Sequence, residues 1–313
     1  MKLNDQQLEY FDTEGYLIID DLFDDADLQP VIDDVSAEID RLANELVASG
    51  ELSQTYAEMG FTSRLTAITN ETDGVLTPIL SGKLATSGIF GLLTNPKLLD
   101  AVESLVGSEI IAASAYRLRP KLPYLEDAVV PWHQDSAFFE PYCDTSLILT
   151  VWIPLVDATP ERGCLQVVPR RHKGEIVPHH LPEGLHGGLL QIKSNDFSDD
   201  DVVTAPVPKG GALLLTNRTP HRSIENVSDI IRWSMDLRYQ SASLPTKFQL
   251  PDGELFFHPD DTDAPVACYP PEADFLVRSQ KRPDSVVKDW KRFYELRSNH
   301  QGTAATDRWG IRS

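Results

Sequence analysis

Apolar residues spaced three and four apart, Leu28, Val31, Ile32, Val35, Ile39, Leu42 and Leu46, predict an amphipathic helix with one buried face, packed on a sheet. Asp24, Asp25 and Asp27 crowd its first turn, where acids complement the helix dipole. Ahead of it, Asn4 to Thr13 reads as a short helix, and Gly15-Tyr16-Leu17-Ile18-Ile19 as a strand entered through a glycine turn. Asn95 as N-cap, Pro96 at the first helical position and Gly107 just past the end frame another helix, carrying Leu98, Leu99, Val102, Leu105 and Val106. Residues 50–94 scatter Thr, Ser and Gly among short apolar runs and read as loops with some helix.

From Ile110 the pattern turns to strands. Ile110 to Arg119, Leu147 to Leu155, Gly163 to Pro169, Val202 to Val207, Ala212 to Thr216 and Ile231 to Tyr239 form the series. The last alternates apolar Ile231, Trp233, Met235, Leu237 and Tyr239 with polar Arg232, Ser234, Asp236 and Arg238. Residues 170–200, with His179, His180, His186, Gly184, Gly187 and Gly188, read as a long excursion between strands, a mobile lid with incidental histidines rather than the alternative of a second metal site. A basic helix around Ser285 to Arg297 offers Val286, Val287, Trp290, Phe293, Tyr294 and Leu296 for packing. Strands following helices predict a mainly β fold with flanking helices and a jelly-roll core. With no repeat or linker, one domain is expected over 1–313: a helical part to about 108, the jelly-roll core at about 109–240 and an extension from about 241.

Composition narrows this picture in three ways. The chain of 313 residues is 41% hydrophobic and 24% charged, as in soluble globular proteins, and no apolar run reaches the roughly 18 residues of a membrane span. Met1-Lys2-Leu3-Asn4-Asp5 has neither a basic nor an apolar leader stretch, so cytoplasm is the default expectation. Cys143, Cys164 and Cys268 lack CxxC spacing; neither disulfides nor a zinc–thiolate site is suggested, and Cys143 and Cys164 read as buried, inert thiols. A formal charge of -20 disfavours nucleic acid and anionic membrane as partners. It also weighs against a polyanionic substrate such as an acyl-CoA, unless a local basic pocket overrides the overall field.

The candidate chemistry begins at His133-Gln134-Asp135. On a β-strand this spacing puts imidazole and carboxylate on one face, supplying two of the three ligands of a two-His-one-carboxylate iron site. Taken alone, the pair more often describes a surface-strand histidine beside a solvated acid. A third ligand is offered by His221, 88 positions on (221 minus 133), where an apolar strand ends. Arg232 follows eleven residues later, beyond the turn-forming Glu225-Asn226-Val227-Ser228-Asp229, so the chain reverses and returns Arg232 beside the strand carrying His221. Its planar guanidinium can fork onto a carboxylate, which a structural zinc site would not need. If the polar face of 231–239 lines a barrel, Arg232 and Arg238 become anion-binding groups and Asp236 a partner for one of them.

Together with Gly15 to Ile19, Val151-Trp152-Ile153-Pro154-Leu155, Gly163 to Pro169, His172-Lys173-Gly174 and Ser228 to Arg232, these residues make the chain resemble the phytanoyl-CoA dioxygenase family of iron(II)- and 2-oxoglutarate-dependent oxygenases. The resemblance implies a double-stranded β-helix (cupin-like jelly roll) with His133, Asp135 and His221 on Fe(II) and Arg232 on the distal carboxylate of 2-oxoglutarate. It also implies Ser223 assisting that contact, Trp152 near the cosubstrate and Tyr116 in the same pocket. O2 would be the other cosubstrate, and hydroxylation of a small molecule with release of succinate and CO2 the outcome. Asp135 favours hydroxylation over halogenation, because related halogenases have a small residue there. Desaturation or epimerisation on the same site, or a non-catalytic metal- or ligand-binding jelly roll, are the alternatives. Pro169-Arg170-Arg171-His172 departs from the small Gly-Ser pair usual before that histidine, which affects local pocket shape. Phe138, Phe139 and Tyr142 fit either a substrate pocket or ordinary core, Arg117 and Arg238 either an anionic substrate or ion pairs, and His172 a loop-holding hydrogen bond.

Overall fold

The computed structural model describes residues 1–82, 84–113, 116–125, 129–139, 144–181, 190–193, 197–242 and 275–299. Tyr142, Cys143, His186 and Cys268 lie outside them. Helix α1 (Asp5–Glu14) starts at Asn4, whose side chain and that of Gln7 form a capping box, and ends at Gly15 with φ of 81°. That left-handed turn suits glycine and turns the chain into strand β1 (Tyr16–Ile19). Helix α2 (Asp25–Ser49) is capped the same way by Asp24 and Asp27, and buries Leu28, Val31, Val35, Ile39 and Leu42 as their spacing predicts.

Its main partner is a helix, not the sheet expected. Residues 50–94 form three short helices, α3 (Arg64–Thr69), α4 (Leu76–Leu80) and α5 (Ser87–Leu93), each too short for its periodicity to show in the sequence. Helix α5 packs on α2 so closely that a Cβ on Gly88 would come within 2.5 Å of the Pro30 carbonyl oxygen. Helix α6 (Pro96–Val106) has the Asn95 cap and Pro96 start that the sequence indicates.

The strands are β2 (Ile110–Ala112), β3 (Arg117–Lys121), β4 (Ile148–Pro154), β5 (Leu165–Val167), β6 (His179–His180), β7 (Gln191–Ile192), β8 (Val203–Ala205), β9 (Ala212–Thr216), β10 (His221–Ser223), β11 (Arg232–Ser241) and β12 (Phe275–Arg278). A large antiparallel sheet runs β1-β9-β4-β11-β2-β12, with β3 also paired to β11; a small one runs β10-β5-β8. The extended stretch expected from Ile110 to Arg119 is thus two strands, and β12 was not foreseen. Helix α7 (Trp290–Asn299) closes the described chain, with Phe293 buried against Phe90, Tyr116 and Phe275 and with Trp290 and Tyr294 exposed.

Alternation along the strands sorts the side chains between two spaces. Leu149, Val151 and Ile153 of β4, Leu214 of β9, and Trp233, Met235, Leu237 and Tyr239 of β11 join the helices in the main core. Trp152, Leu213 and Leu215 face the other way and meet Leu165 and Val167 of the small sheet. The mainly β architecture with flanking helices is that of a jelly roll, and the space between its sheets receives the polar face of β11. Among the described residues no helix is long and apolar enough to cross a membrane.

Candidate active site

His133 and His221 meet through their backbones. Each donates its N–H to the other's carbonyl oxygen, at 3.0 and 2.9 Å, which closes an antiparallel bridge and sets the two rings 4.2 Å apart between centroids. Nδ1 of His133 lies 2.9 Å from the carbonyl oxygen of Pro131, and Nδ1 of His221 lies 3.0 Å from that of Thr219. A carbonyl only accepts, so each ring carries its proton on Nδ1 and leaves Nε2 with a lone pair. Burial, reinforced by neighbouring His221, pushes the His133 imidazole down to about 3, so it is neutral at physiological pH.

Asp135 does not sit on a strand as the sequence reading supposed. It opens a 3-10 turn, Asp135–Phe138. Gln134 before it is extended, which still sends residues 133 and 135 to one side, and Asp135 Oδ1 lies 3.8 Å from His133 Nε2. Burial alone would raise this carboxyl. Arg238, with an N–H donated to Oδ1 at 3.0 Å, the two imidazoles and the Thr150 hydroxyl at 2.5 Å outweigh it and hold the group well below the usual carboxylate range. Ligand atoms of His133, Asp135 and His221 all lie within 4.8 Å of one another, close enough to hold one metal ion. The Gln134 peptide between the first two is clamped: its N–H donates to His179 Nε2 at 3.0 Å, and its side chain bridges the N–H of Val177 and the carbonyl of Arg218. His179 therefore fixes the segment between His133 and Asp135, a role the sequence does not indicate.

The cluster opens into a cavity of about 680 Å³ that also exposes Trp152, Ser223, Arg232 and Lys121. Arg232 is 2% exposed; it donates to Ser234 Oγ at 2.5 Å and to the Gly163 carbonyl at 3.2 Å, and lies 5.2 Å from the Trp152 ring centre. Its Nε finds no hydrogen-bond partner, and no carboxylate reaches it among the described residues. Burial, with Arg119 nearby, pulls it down to about 9. A buried guanidinium without a counter-ion is costly, and its unpartnered Nε–H suits a carboxylate such as that of 2-oxoglutarate. Lys121 is the second cation here: in register with Arg232 across β3 and β11, it donates to Ser223 Oγ at 3.0 Å.

Of the residues singled out from sequence, His133, Asp135, His221, Arg232, Ser223 and Trp152 converge on this cavity. Tyr116 does not. It precedes Arg117, Arg119 and Lys121, which face the cavity, so it points to the main core, fully buried, with its hydroxyl on the Leu84 carbonyl. Ser223 serves Lys121 and the Val130 N–H; the hydroxyl on Arg232 belongs to Ser234. Lys121 was overlooked although Arg117-Leu118-Arg119-Pro120-Lys121 shows strand alternation. Arg238 and Asp236 face inward with Arg232, and Asp236 pairs with both Arg119 and Arg238. Phe138 stands edge-on to His133 and Phe139 is buried near Arg238. His172 holds a loop, with Nε2 3.0 Å from the Asp12 carbonyl oxygen, and Cys164 is buried, its thiol pushed up to about 11.

Chemistry of this kind belongs to 2-oxoglutarate-dependent non-heme iron oxygenases, and comparison with known proteins bears out that class and its cofactors. The chain belongs to the phytanoyl-CoA dioxygenase family, whose model matches residues 11–234. Phytanoyl-CoA dioxygenase domain-containing protein 1 of Danio rerio is 26% identical over 258 residues, 74% of this chain and 87% of that protein. A probable alpha-ketoglutarate-dependent hypophosphite dioxygenase of Stutzerimonas stutzeri is 27% identical over 245 residues, 76% of this chain and 78% of that protein. Among solved structures, the apo non-heme monooxygenase ThoJ superposes with a TM-score of 0.55 at 19% identity, covering 89% of this chain and 85% of its own, which bears on the fold alone.

Proposed function

We propose that this enzyme hydroxylates a small-molecule substrate, with His133, Asp135 and His221 holding iron(II) and Arg232 and Lys121 holding the distal carboxylate of 2-oxoglutarate. The observation that carries the reading is the placement, in one cavity, of a buried His/Asp/His cluster beside a buried guanidinium that lacks a counter-ion among the described residues. When bound, iron and 2-oxoglutarate together activate O2, yielding succinate and CO2 and delivering the second oxygen atom to the substrate. Residues of the chain do the aiming. The Pro131 and Thr219 carbonyls keep both Nε2 lone pairs available to metal, while Arg238 and Thr150 keep Asp135 ionised and oriented. Trp152 walls the cosubstrate end of the cavity.

The test is anaerobic addition of iron(II) and then 2-oxoglutarate. A weak visible charge-transfer band is expected, lost in His133→Ala and Asp135→Ala. Arg232→Leu should weaken 2-oxoglutarate binding by about tenfold or more while sparing iron. Equal loss of metal and cosubstrate in Arg232→Leu would instead assign that residue a structural role. Failure of 2-oxoglutarate to bind the iron-loaded protein would remove the oxygenase reading, and release of an unhydroxylated oxidised product would redirect it to desaturation or epimerisation.

A further inference from the structure

Three successive residues just past β9 hold the chain beside each proposed metal ligand. The Asn217 carbonyl accepts from the Ser136 N–H at 2.8 Å, and its side-chain amide donates to Ser136 Oγ at 2.9 Å, which fixes the residue that follows Asp135. The Arg218 carbonyl accepts from Gln134 Nε2 at 2.7 Å, which fixes the residue between His133 and Asp135. The Thr219 carbonyl lies 3.0 Å from Nδ1 of His221 and accepts its N–H. The turn is itself anchored from the opposite side. The Gly15 carbonyl accepts from the Thr216 N–H at 3.2 Å and from the Thr219 hydroxyl at 2.6 Å. His172 packs on Gly15 so closely that a Cβ there would collide with its imidazole.

Asn217 is the member of this turn that uses its side chain as well as its backbone toward the Asp135 segment. It is 1% exposed and does not border the cavity. Its N–H donates to the Ile148 carbonyl and its Oδ1 accepts from the Ile148 N–H, both at 3.1 Å, so it carries the pairing of β9 with β4 one residue further. A backbone N–H only donates. The side-chain oxygen must therefore face Ile148, and the NH2 group is left for Ser136. A primary amide of this length supplies both the acceptor and the donor; aspartate would lack the donor.

From this arrangement we infer that Asn217 is a positioning residue of the metal site. Through Ser136 it fixes the start of the Asp135–Phe138 turn, and His221 is oriented from two residues further along the same short segment, so one turn sets the spacing of carboxylate and imidazole. The inference rests on the proposed metal-binding role of His133, Asp135 and His221 and adds to it the element that aligns them.

Iron(II) is titrated anaerobically into the full-length wild-type protein, Asn217→Ala, Ser136→Ala, the double variant and Asn95→Ala, and the Tm of each metal-free protein is recorded. Asn95→Ala removes the cap of α6 and is the reference for destabilisation alone. Absence of iron binding by the wild type would remove the metal site itself, before any variant is compared. Asn217→Ala is expected to weaken iron binding about tenfold and Ser136→Ala about threefold or more, each with the visible band of the 2-oxoglutarate complex displaced. Asn95→Ala should lower Tm and leave iron affinity within about twofold of wild type. The double variant should bind iron no more weakly than Asn217→Ala, because both changes break one link. Ser136→Ala keeps both bonds of Asn217 to Ile148, so it carries the test where Asn217→Ala does not fold. Unchanged iron affinity in either folded variant, additive losses in the double variant, or an equal loss in Asn95→Ala would overturn the inference.

Discussion

At Lys121 a single buried charge would make the proposed cosubstrate site sensitive to pH. Burial first, then Arg232 and Arg119, pulls its amine down to about 7. Below that pH the side chain is cationic and attracts a dianion; above it the side chain is neutral. Bound 2-oxoglutarate favours the charged form and raises the amine's pKa, so binding above neutrality takes up a proton. Affinity for 2-oxoglutarate should therefore fall as pH rises through and beyond about 7, by up to about tenfold per pH unit. Calorimetry across that range checks the slope, and Lys121→Met should flatten it while lowering affinity at the acid end. A slope unchanged in Lys121→Met would assign the titration to another group. The residue was legible only in retrospect: three basic side chains at alternate positions of an extended segment mark one face, but only Arg232, eleven positions past a histidine, stood in a recognisable spacing.

Among elements, the turn entering β5 is sensitive to small changes. Gly163 has φ of 73°, and an added Cβ would lie 2.6 Å from Lys121 Cδ and 2.7 Å from the Ile224 carbonyl oxygen. Its own carbonyl accepts from Arg232. Gly163→Ala should thus cost about 1–3 kcal/mol of stability, seen as a lowered Tm, and also raise the KM for 2-oxoglutarate, because both cosubstrate cations must shift. A variant with a lowered Tm and unchanged KM would show that the turn and the cations are mechanically separate. Alternation made β11 readable, and β-branched, aromatic or continuous apolar content made β4 and β9 so, each with nearly correct ends. Helices α3, α4 and α5 escaped because they span 6, 5 and 7 residues, too few to establish a period. Yet α4 borders the cavity, so one wall of the site belongs to the part that pattern reading served least.

For the molecule as a whole, an acidic total and a group of inward-facing cations on β3 and β11 account for a tension in the composition. A charge of -20 argues against an anionic guest when read as a sum, but polar positions of β3 and β11 segregate cations inward, where they are not averaged with the surface. Composition carries no information about that segregation; the alternating face of 231–239 did carry it, and there the reading and the fold agree.

The mutual backbone bridge of His133 and His221 ties together two distant parts of the chain. Metal seated between these side chains joins two segments 88 residues apart in the chain (221 minus 133), in the manner of a removable crosslink. An unfolded chain has no such pocket, so the ion adds to folding stability by mass action. Melting temperature should climb with free iron(II) concentration and drop on chelation, by a margin that vanishes in Asp135→Ala. In a cell short of iron the enzyme would then lose its resistance to unfolding and degradation along with its activity, making the lifetime of the protein itself a gauge of the metal supply.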